Sequence, residues 1–183
     1  MMKKALIHID YTKDFVAEDG ALTCGLPGQN IEQYIYDVTE ALYNEGAHIF
    51  FTIDIHKLND PYHPETKLFP PHNIENTEGR ELYGRLQAWY EKHQQDEHVH
   101  WLDKTRYSAF CGTTLLTLLR ERGIEELHLV GVCTDICVLH TAIDAYNLGF
   151  RLVIHEKGVA SFNEAGHEWA LGHFKNTLGA TVV

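Results

Sequence analysis

Short apolar runs alternate along this chain with longer stretches in which apolar residues recur every three or four positions. That rhythm predicts βαβ units around a parallel sheet. The predicted strands are Ala5–Ile9, His48–Ile53, Val99–Leu102, Leu127–Val132, Leu152–Ile154 and a last one near Thr181–Val183. The first predicted helix is Ile31–Asn44, where Ile31, Ile35, Val38 and Leu42 share a face and Gly46 follows as a stop. Further helices are predicted over Arg80–His93, Thr113–Arg122, Ile136–Leu148 and Glu164–Leu178, the last three followed directly by glycine. The segment Asn59–Thr77, rich in Pro, His and Asn, shows no such period; a loop that long inside a compact domain is usually functional. The pattern as a whole predicts an α/β fold: a single three-layer α/β/α domain over residues 1–183, with a mostly parallel six-stranded sheet.

Composition narrows the class of partner. With 44% hydrophobic and 22% charged residues in 183, the chain reads as globular. A net charge of −11 repels phosphate backbones and anionic membrane surfaces, so a small molecule is the expected partner, with neither nucleic acid nor membrane. No apolar run approaches the ~20 residues of a membrane span. The basic start Met1-Met2-Lys3-Lys4 leads into an apolar stretch too short for a signal peptide, which predicts a cytoplasmic protein. Cysteines at 24, 111, 133 and 137 lack the dense spacing of a disulfide scaffold and are expected to be free thiols.

In open parallel sheets, ligands sit beyond the carboxyl ends of the strands. Chemically useful residues cluster there: Asp10 after the first strand, Asp54 and His56 after the second, Asp103 and Lys104 after the third, Cys133 to Cys137 after the fourth. Cys137 falls in the first predicted turn of an apolar helix, where unpaired N–H groups and the helix dipole favour a thiolate and could receive an oxyanion. Most free cysteines are small buried hydrophobes, and the segment alone admits that reading too. The C-x₃-C spacing of Cys133 and Cys137 matches neither a thioredoxin-type motif nor half a zinc ribbon. No histidine stands at a strand end outside the 54–72 region, so Asp10 is the candidate base and Lys104 the cation that would favour both thiolate and carboxylate. A loop acid and a solvated lysine are the plainer readings of each taken singly. Asp54 and His56, one residue apart on extended backbone, point to the same side. With His63, Glu65 and His72 further along, they offer imidazole and carboxylate ligands suited to Zn²⁺, Fe²⁺ or Mn²⁺.

Three blocks carry a family resemblance over essentially the whole chain: Ile7-His-Ile-Asp10-Tyr-Thr-Lys-Asp-Phe15, Asp103-Lys104-Thr-Arg-Tyr107-Ser-Ala-Phe110 and Gly131-Val-Cys-Thr-Asp-Ile-Cys137-Val. In order and spacing the chain resembles the isochorismatase-like cysteine hydrolases and, within them, the nicotinamidases. The resemblance implies a catalytic triad of Asp10, Lys104 and Cys137. It also implies a cis peptide between Val132 and Cys133, and an oxyanion hole from the N–H groups of Cys133 and Cys137. It implies one divalent metal, zinc first with iron or manganese as alternatives, on Asp54, His56, His72 and either Glu65 (the first choice) or His63. Phe15, Phe69 and Tyr107 match the aromatic residues that flank the substrate ring. The implied reaction is hydrolysis of nicotinamide to nicotinate and ammonia through a cysteine thioester, feeding NAD salvage, with pyrazinamide as a second substrate. A homo-oligomer, dimer or tetramer, is implied as well. The chain departs from the family in having a thiol at 133, and in reading Asp54-Ile-His56-Lys57 where many members read Asp-Trp-His-Pro. Three other readings remain beside this one: an amidase of the same superfamily acting on a carbamoyl or ureido substrate, a metal-dependent hydrolase with a structural Cys137, and a catalytically silent binding protein.

Overall fold

Strand β1 (Lys3–Ile9) is buried on both faces from Ala5 onward, as a central strand of a parallel sheet must be. In this computed structural model, which describes residues 3–183, five further strands join it: β2 (His48–Asp54), β3 (Val99–Lys104), β4 (Ile124–Val132), β5 (Arg151–Ala160) and β6 (Thr181–Val182). Their order is β3-β2-β1-β4-β5-β6 and every pairing is parallel, so the sheet is wholly rather than mostly parallel. From β1 the chain winds outward to β2 and β3, then returns to place β4 on β1's other side. The point where the direction of winding reverses therefore lies between β1 and β4. Carboxyl ends of strands diverge there and leave a crevice.

Two apolar clusters sandwich the sheet. On one face, Ala5, Ile7 and Ile9 pack with residues of α5 (Leu115–Glu121), α6 (Leu139–Asn147) and α7 (Glu164–Asn176). On the other, Leu6, Ile49, Phe51 and Ile53 pack with α3 (Glu32–Asn44) and α4 (Arg85–His93), flanked by two short helices, α1 (Lys13–Val16) and α2 (Leu26–Asn30). The alternation along β1 assigns neighbours to opposite layers, giving the expected three-layer sandwich. Each fully buried Leu, Ile or Phe in these clusters contributes about 1.5–3 kcal/mol. Among the described residues no helix is long and apolar enough to cross a membrane.

Three predicted boundaries move. The helix expected from Arg80 begins at Arg85. Before it, Gly84 takes a left-handed φ of 63°, Leu82 pairs with Thr12 in an isolated antiparallel bridge, and Glu78–Arg80 is a single 3₁₀ turn. Leu82 is thus committed to the sheet edge, not to the helix period. The helix expected from Ile136 begins at Leu139, because Thr134–Val138 winds as a π-turn in which Val138 N–H reaches back to Cys133 O. Strand β5 runs on from Ile154 to Ala160, across His155, Glu156 and Lys157, whose polarity ended the apolar run in the sequence. His155 stays buried by bonding Tyr34 Oη and His128, each at 2.9 Å.

A histidine of β1 lies in the core of the sheet. His8 is fully buried, stacks on Phe51 with ring centroids 4.6 Å apart, and lies 3.1 Å from Thr39 Oγ1. The Thr39 hydroxyl donates to Ile35 O, so Thr39 accepts from His8 Nε2–H and the bare lone pair is on Nδ1, which has no partner. A proton added there would be a buried N–H without an acceptor. Burial, with the nearby His155, accordingly lowers the His8 pKa to about 3. A folded-state pKa below the unfolded one adds stability above pH 6.5 that is lost as pH falls towards 3. We predict that His8 alone removes about 2–3 kcal/mol of stability between pH 7 and 4.5. Denaturant unfolding across that range will show a shallower slope in His8→Phe; an unchanged slope would rule out a neutral buried His8.

Candidate active site

The crevice between β1 and β4 gathers side chains from four strand ends. Asp10 leaves β1 with a left-handed φ of 52°, a conformation that aspartate tolerates better than most residues. Its backbone N–H still donates to Thr52 O, and its Oδ1 accepts the Asp54 N–H at 2.8 Å. On β4, Gly131 has a φ of 120°, and a Cβ there would lie 2.0 Å from Ile9 O. Only glycine lets β4 approach the end of β1 so closely. The chain then passes through the Val132–Cys133 peptide, which is cis, into the π-turn that carries Cys137. That turn is pinned from α7 and the loop before it: Thr134 Oγ1 lies 2.8 Å from His167 Nδ1, and Ser161 Oγ donates to Asp135 at 2.6 Å.

Lys104, at the end of β3, is wholly buried and points into the crevice. Its Nζ is 2.7 Å from Asp10 Oδ2 and 2.5 Å from Asp54 Oδ1, and it donates to Arg106 O at 3.1 Å. The contact with Asp10 is an ion pair without the alignment of a good hydrogen bond, since Oδ2 has no hydrogen-bonding donor. Burial opposes the ammonium, but Asp10 and Asp54 hold its pKa well above the ordinary lysine value. Burial likewise opposes the charge on Asp54, and there Lys104 and His56 prevail, leaving its carboxyl below the usual range. Asp10 goes the other way: burial and the repulsion of Asp54 push it up to about 7, against the pull of Lys104.

Asp10, Asp54 and Cys137 each present an atom within 4.8 Å of the others, so the Cys137 thiol faces the Asp10 carboxylate. The expectation of a resting thiolate at a helix terminus does not hold. Cys137 sits in the π-turn ahead of α6 and is buried; burial first, then Asp10 and Asp54, hold its thiol well above the ordinary range, with Lys104 opposing. The arrangement is a neutral thiol facing a carboxylate of intermediate basicity, both within the field of one ammonium.

A second cluster adjoins the first through Asp54. Asp54, His56, Glu65 and His72 are all buried, with one ligand atom of each within 4.8 Å of the others. Asp54 Oδ2, His56 Nε2 and His72 Nε2 have no partner among the described atoms, although each is buried. His72 Nδ1 donates to Pro70 O at 2.8 Å, which leaves its Nε2 as a lone pair. Two imidazoles and two carboxylates converging without hydrogen bonds fit a divalent transition metal. His63 does not join them. Its Nε2 donates to Thr105 O at 2.8 Å and its Nδ1 accepts the Glu65 N–H as the cap of the 3₁₀ turn Pro64–Lys67, so both nitrogens are spent. The loop that carries His72 is fastened to the first strand's exit. Asn73 N–H donates to Asp14 Oδ2 at 2.7 Å, Asn73 Oδ1 accepts from Thr12 at 2.9 Å, and Asn73 O accepts the His56 N–H at 3.0 Å.

Between the two clusters lies a small cavity, lined by Phe15, Phe69 and Tyr107 together with Asp54, Glu65, Cys133 and Cys137. The three aromatics singled out in the sequence therefore share one cavity with the thiol. Leu22, Ile136 and Phe162 also line it and were missed. Phe162 follows β5 at its carboxyl end, so the strand-end rule would have found it had the full length of β5 been read. Leu22 comes from the loop after α1, which carries no sequence signal.

Comparison with known proteins adds the following. The Isochorismatase domain family matches residues 4–183. A curated protein of Bacillus subtilis (strain 168), an uncharacterized isochorismatase family protein, PncA, is 60% identical over 181 residues, covering 99% of each chain. The crystal structure of nicotinamidase/pyrazinamidase PncA from Bacillus subtilis superposes with a TM-score of 0.98 at 62% identity, covering 100% of both chains. A pyrazinamidase of Pyrococcus horikoshii in complex with zinc is 29% identical with a TM-score of 0.84, covering 99% of this chain and 98% of its own.

Proposed function

The chain belongs to the isochorismatase family, and on that premise we propose that it is an amidohydrolase that converts nicotinamide to nicotinate and ammonia, with pyrazinamide as a second substrate. The observation that carries this reading is the buried thiol of Cys137 within 4.8 Å of the Asp10 carboxylate, which is itself paired with Lys104 at 2.7 Å. Relatives named as nicotinamidases at 62% identity over the full chain support the substrate. NAD salvage and assembly into a homo-oligomer are parts of the proposal that rest on the family resemblance alone.

The chemistry follows from the residues in turn. Asp10 accepts the thiol proton of Cys137 as sulfur attacks the carboxamide carbon; a carboxylate held near 7 is basic enough to take it and acidic enough to return it. Lys104 keeps a fixed positive charge beside both groups, so the proton moves between them without leaving an uncompensated anion. The backbone N–H groups of Cys133 and Cys137 receive the tetrahedral oxyanion. Asp10 then protonates the departing ammonia, a thioester remains on Cys137, and water activated by Asp10 releases nicotinate. Phe15, Phe69 and Tyr107 hold the ring. Asp54, His56, Glu65 and His72 would hold the divalent metal, zinc first; when bound it supplies a Lewis-acid anchor for the pyridine nitrogen, so that its role is positioning.

Ammonia release from nicotinamide by the purified protein tests the reaction directly. Cys137→Ala, Asp10→Asn and Lys104→Ala are each expected to lower turnover by about 10³-fold or more, and double variants to be little worse than singles, because the groups act as a unit. Strictly additive losses would count against a shared triad. For the second cluster, Glu65→Ala is expected to weaken metal retention, read by metal analysis after dialysis, by at least about tenfold, whereas His63→Ala retains it. Removing the metal is expected to raise KM more than it lowers kcat; an unchanged KM would sink the positioning role.

A further inference from the structure

The oxyanion turn carries a thiol that the reaction does not use. Cys133 lines the cavity beside Cys137, and its Sγ lies 3.3 Å from Sγ of Cys24. Both residues are buried free cysteines, 109 positions apart in the chain. The segments that bear them also carry the lining residues Phe15, Leu22, Ile136 and Cys137. Cys24 N–H donates to the carbonyl of Phe15 at 2.8 Å, while Cys133 O accepts the N–H groups of Ile136 and Val138 at 3.1 Å. A disulfide has sulfurs about 2.05 Å apart, so closure asks each side to yield well under 1 Å. We propose that Cys24 and Cys133 form an oxidisable dithiol whose disulfide ties the oxyanion turn to the loop after α1 and reversibly switches turnover off. The functional half of this inference rests on the hydrolase reading above, in which Cys133 N–H receives the oxyanion.

The oxidant class is a small hydroperoxide able to enter the substrate cavity, which Cys133 lines. Sulfur of Cys133 attacks one peroxide oxygen; the O–O bond breaks, the leaving oxygen takes the thiol proton and departs as water, and a sulfenic acid remains. Sulfur of Cys24 then attacks the sulfenic sulfur, the S–O bond breaks, and a second water leaves with the Cys24 proton. Each sulfur has given up one electron, and hydrogen peroxide has been reduced to two waters. A small dithiol reverses the reaction. At rest the two sulfurs are hydrogen-bonded, and the bond to Cys24 and then burial hold the Cys133 thiol well above its ordinary range. Its oxidation is therefore slower than that of an exposed, low-pKa sensor thiol.

The test treats the metal-loaded wild-type protein and the variants Cys24→Ala and Cys24→Ser with graded hydrogen peroxide. It follows ammonia release and, by peptide mass analysis without reduction, the Cys24–Cys133 linkage. In the wild type, linkage and loss of turnover should rise together, with a loss of about 10²-fold in the linked fraction and recovery on adding dithiothreitol. Both variants should stay active at the same dose. Absence of the linked peptide, full turnover by linked protein, or equal inactivation of wild type and variants would each overturn the proposal, the last by placing the damage at Cys137. A reduced wild type that releases no ammonia would overturn the nicotinamidase reading and leave the dithiol to be scored by its linkage.

Discussion

An ammonium group with no access to solvent is tolerable only where negative charge and acceptors meet it from several sides, and at Lys104 that requirement organises the carboxyl end of the sheet. Asp10 and Asp54 come from adjacent strands, and each is fixed by the backbone as well as by the cation. The same cluster reaches further through Asp54 to Glu65. Three carboxylates against one ammonium leave two negative charges in a buried space. His56 and His72 add ring nitrogens and no negative charge. A divalent cation would neutralise the remainder, which is a reason, independent of any relative, why catalytic and metal-binding residues share Asp54 as a common wall. The intermediate basicity of Asp10 follows from burial and the same crowding, since loss of water and then Asp54 make its ionisation costly and Lys104 makes it bearable.

Much of this was legible in the chain because the physics is local to strand ends. Period and run length placed the six strands, and the rule that ligands lie beyond their carboxyl ends then selected Asp10, Asp54, His56, Lys104 and Cys137 before any contact was known. What the pattern misjudged was decided by contacts between distant segments. Leu82 looks helical by period, yet it pairs with Thr12 across the sheet edge. Residues 155–157 look like the end of a strand, yet His155 finds Tyr34 and His128 and the strand continues. Cys137 looks like a helix-terminal thiolate, yet it sits in a π-turn, where burial and then two carboxylates favour its neutral form. The choice between His63 and Glu65 was likewise beyond sequence spacing, because it turns on whether a ring nitrogen is already spent on Thr105 O.

The close approach of β4 to β1 illustrates how narrowly such a site is specified. Gly131 has Ile9 O where a Cβ would stand, and the two residues after it lead directly into the oxyanion turn. The crevice is thus set by backbone packing upstream of the reacting groups, while His167 and Ser161 hold the turn from the opposite side. Reactive side chains supply the chemistry, and glycine and hydroxyl contacts a few residues away supply their aim.

The attachment of Asn73 to Asp14, Thr12 and His56 has a bearing on how the site could be rebuilt. The segment bearing Phe15 and the loop bearing His72 are joined through a single buried asparagine, so they are one interchangeable part and not two. A designer who transplants residues 56–73 from a relative to change the metal or the ring accepted at this site would have to carry residues 12–15 along. Left behind, the host's own Asp14 and Thr12 would meet a foreign loop with their hydrogen bonds unmatched. Diversity of substrate within this architecture is then expected to arise by exchange of that joined block, or at Phe162, a half-exposed residue that lines the cavity from outside it.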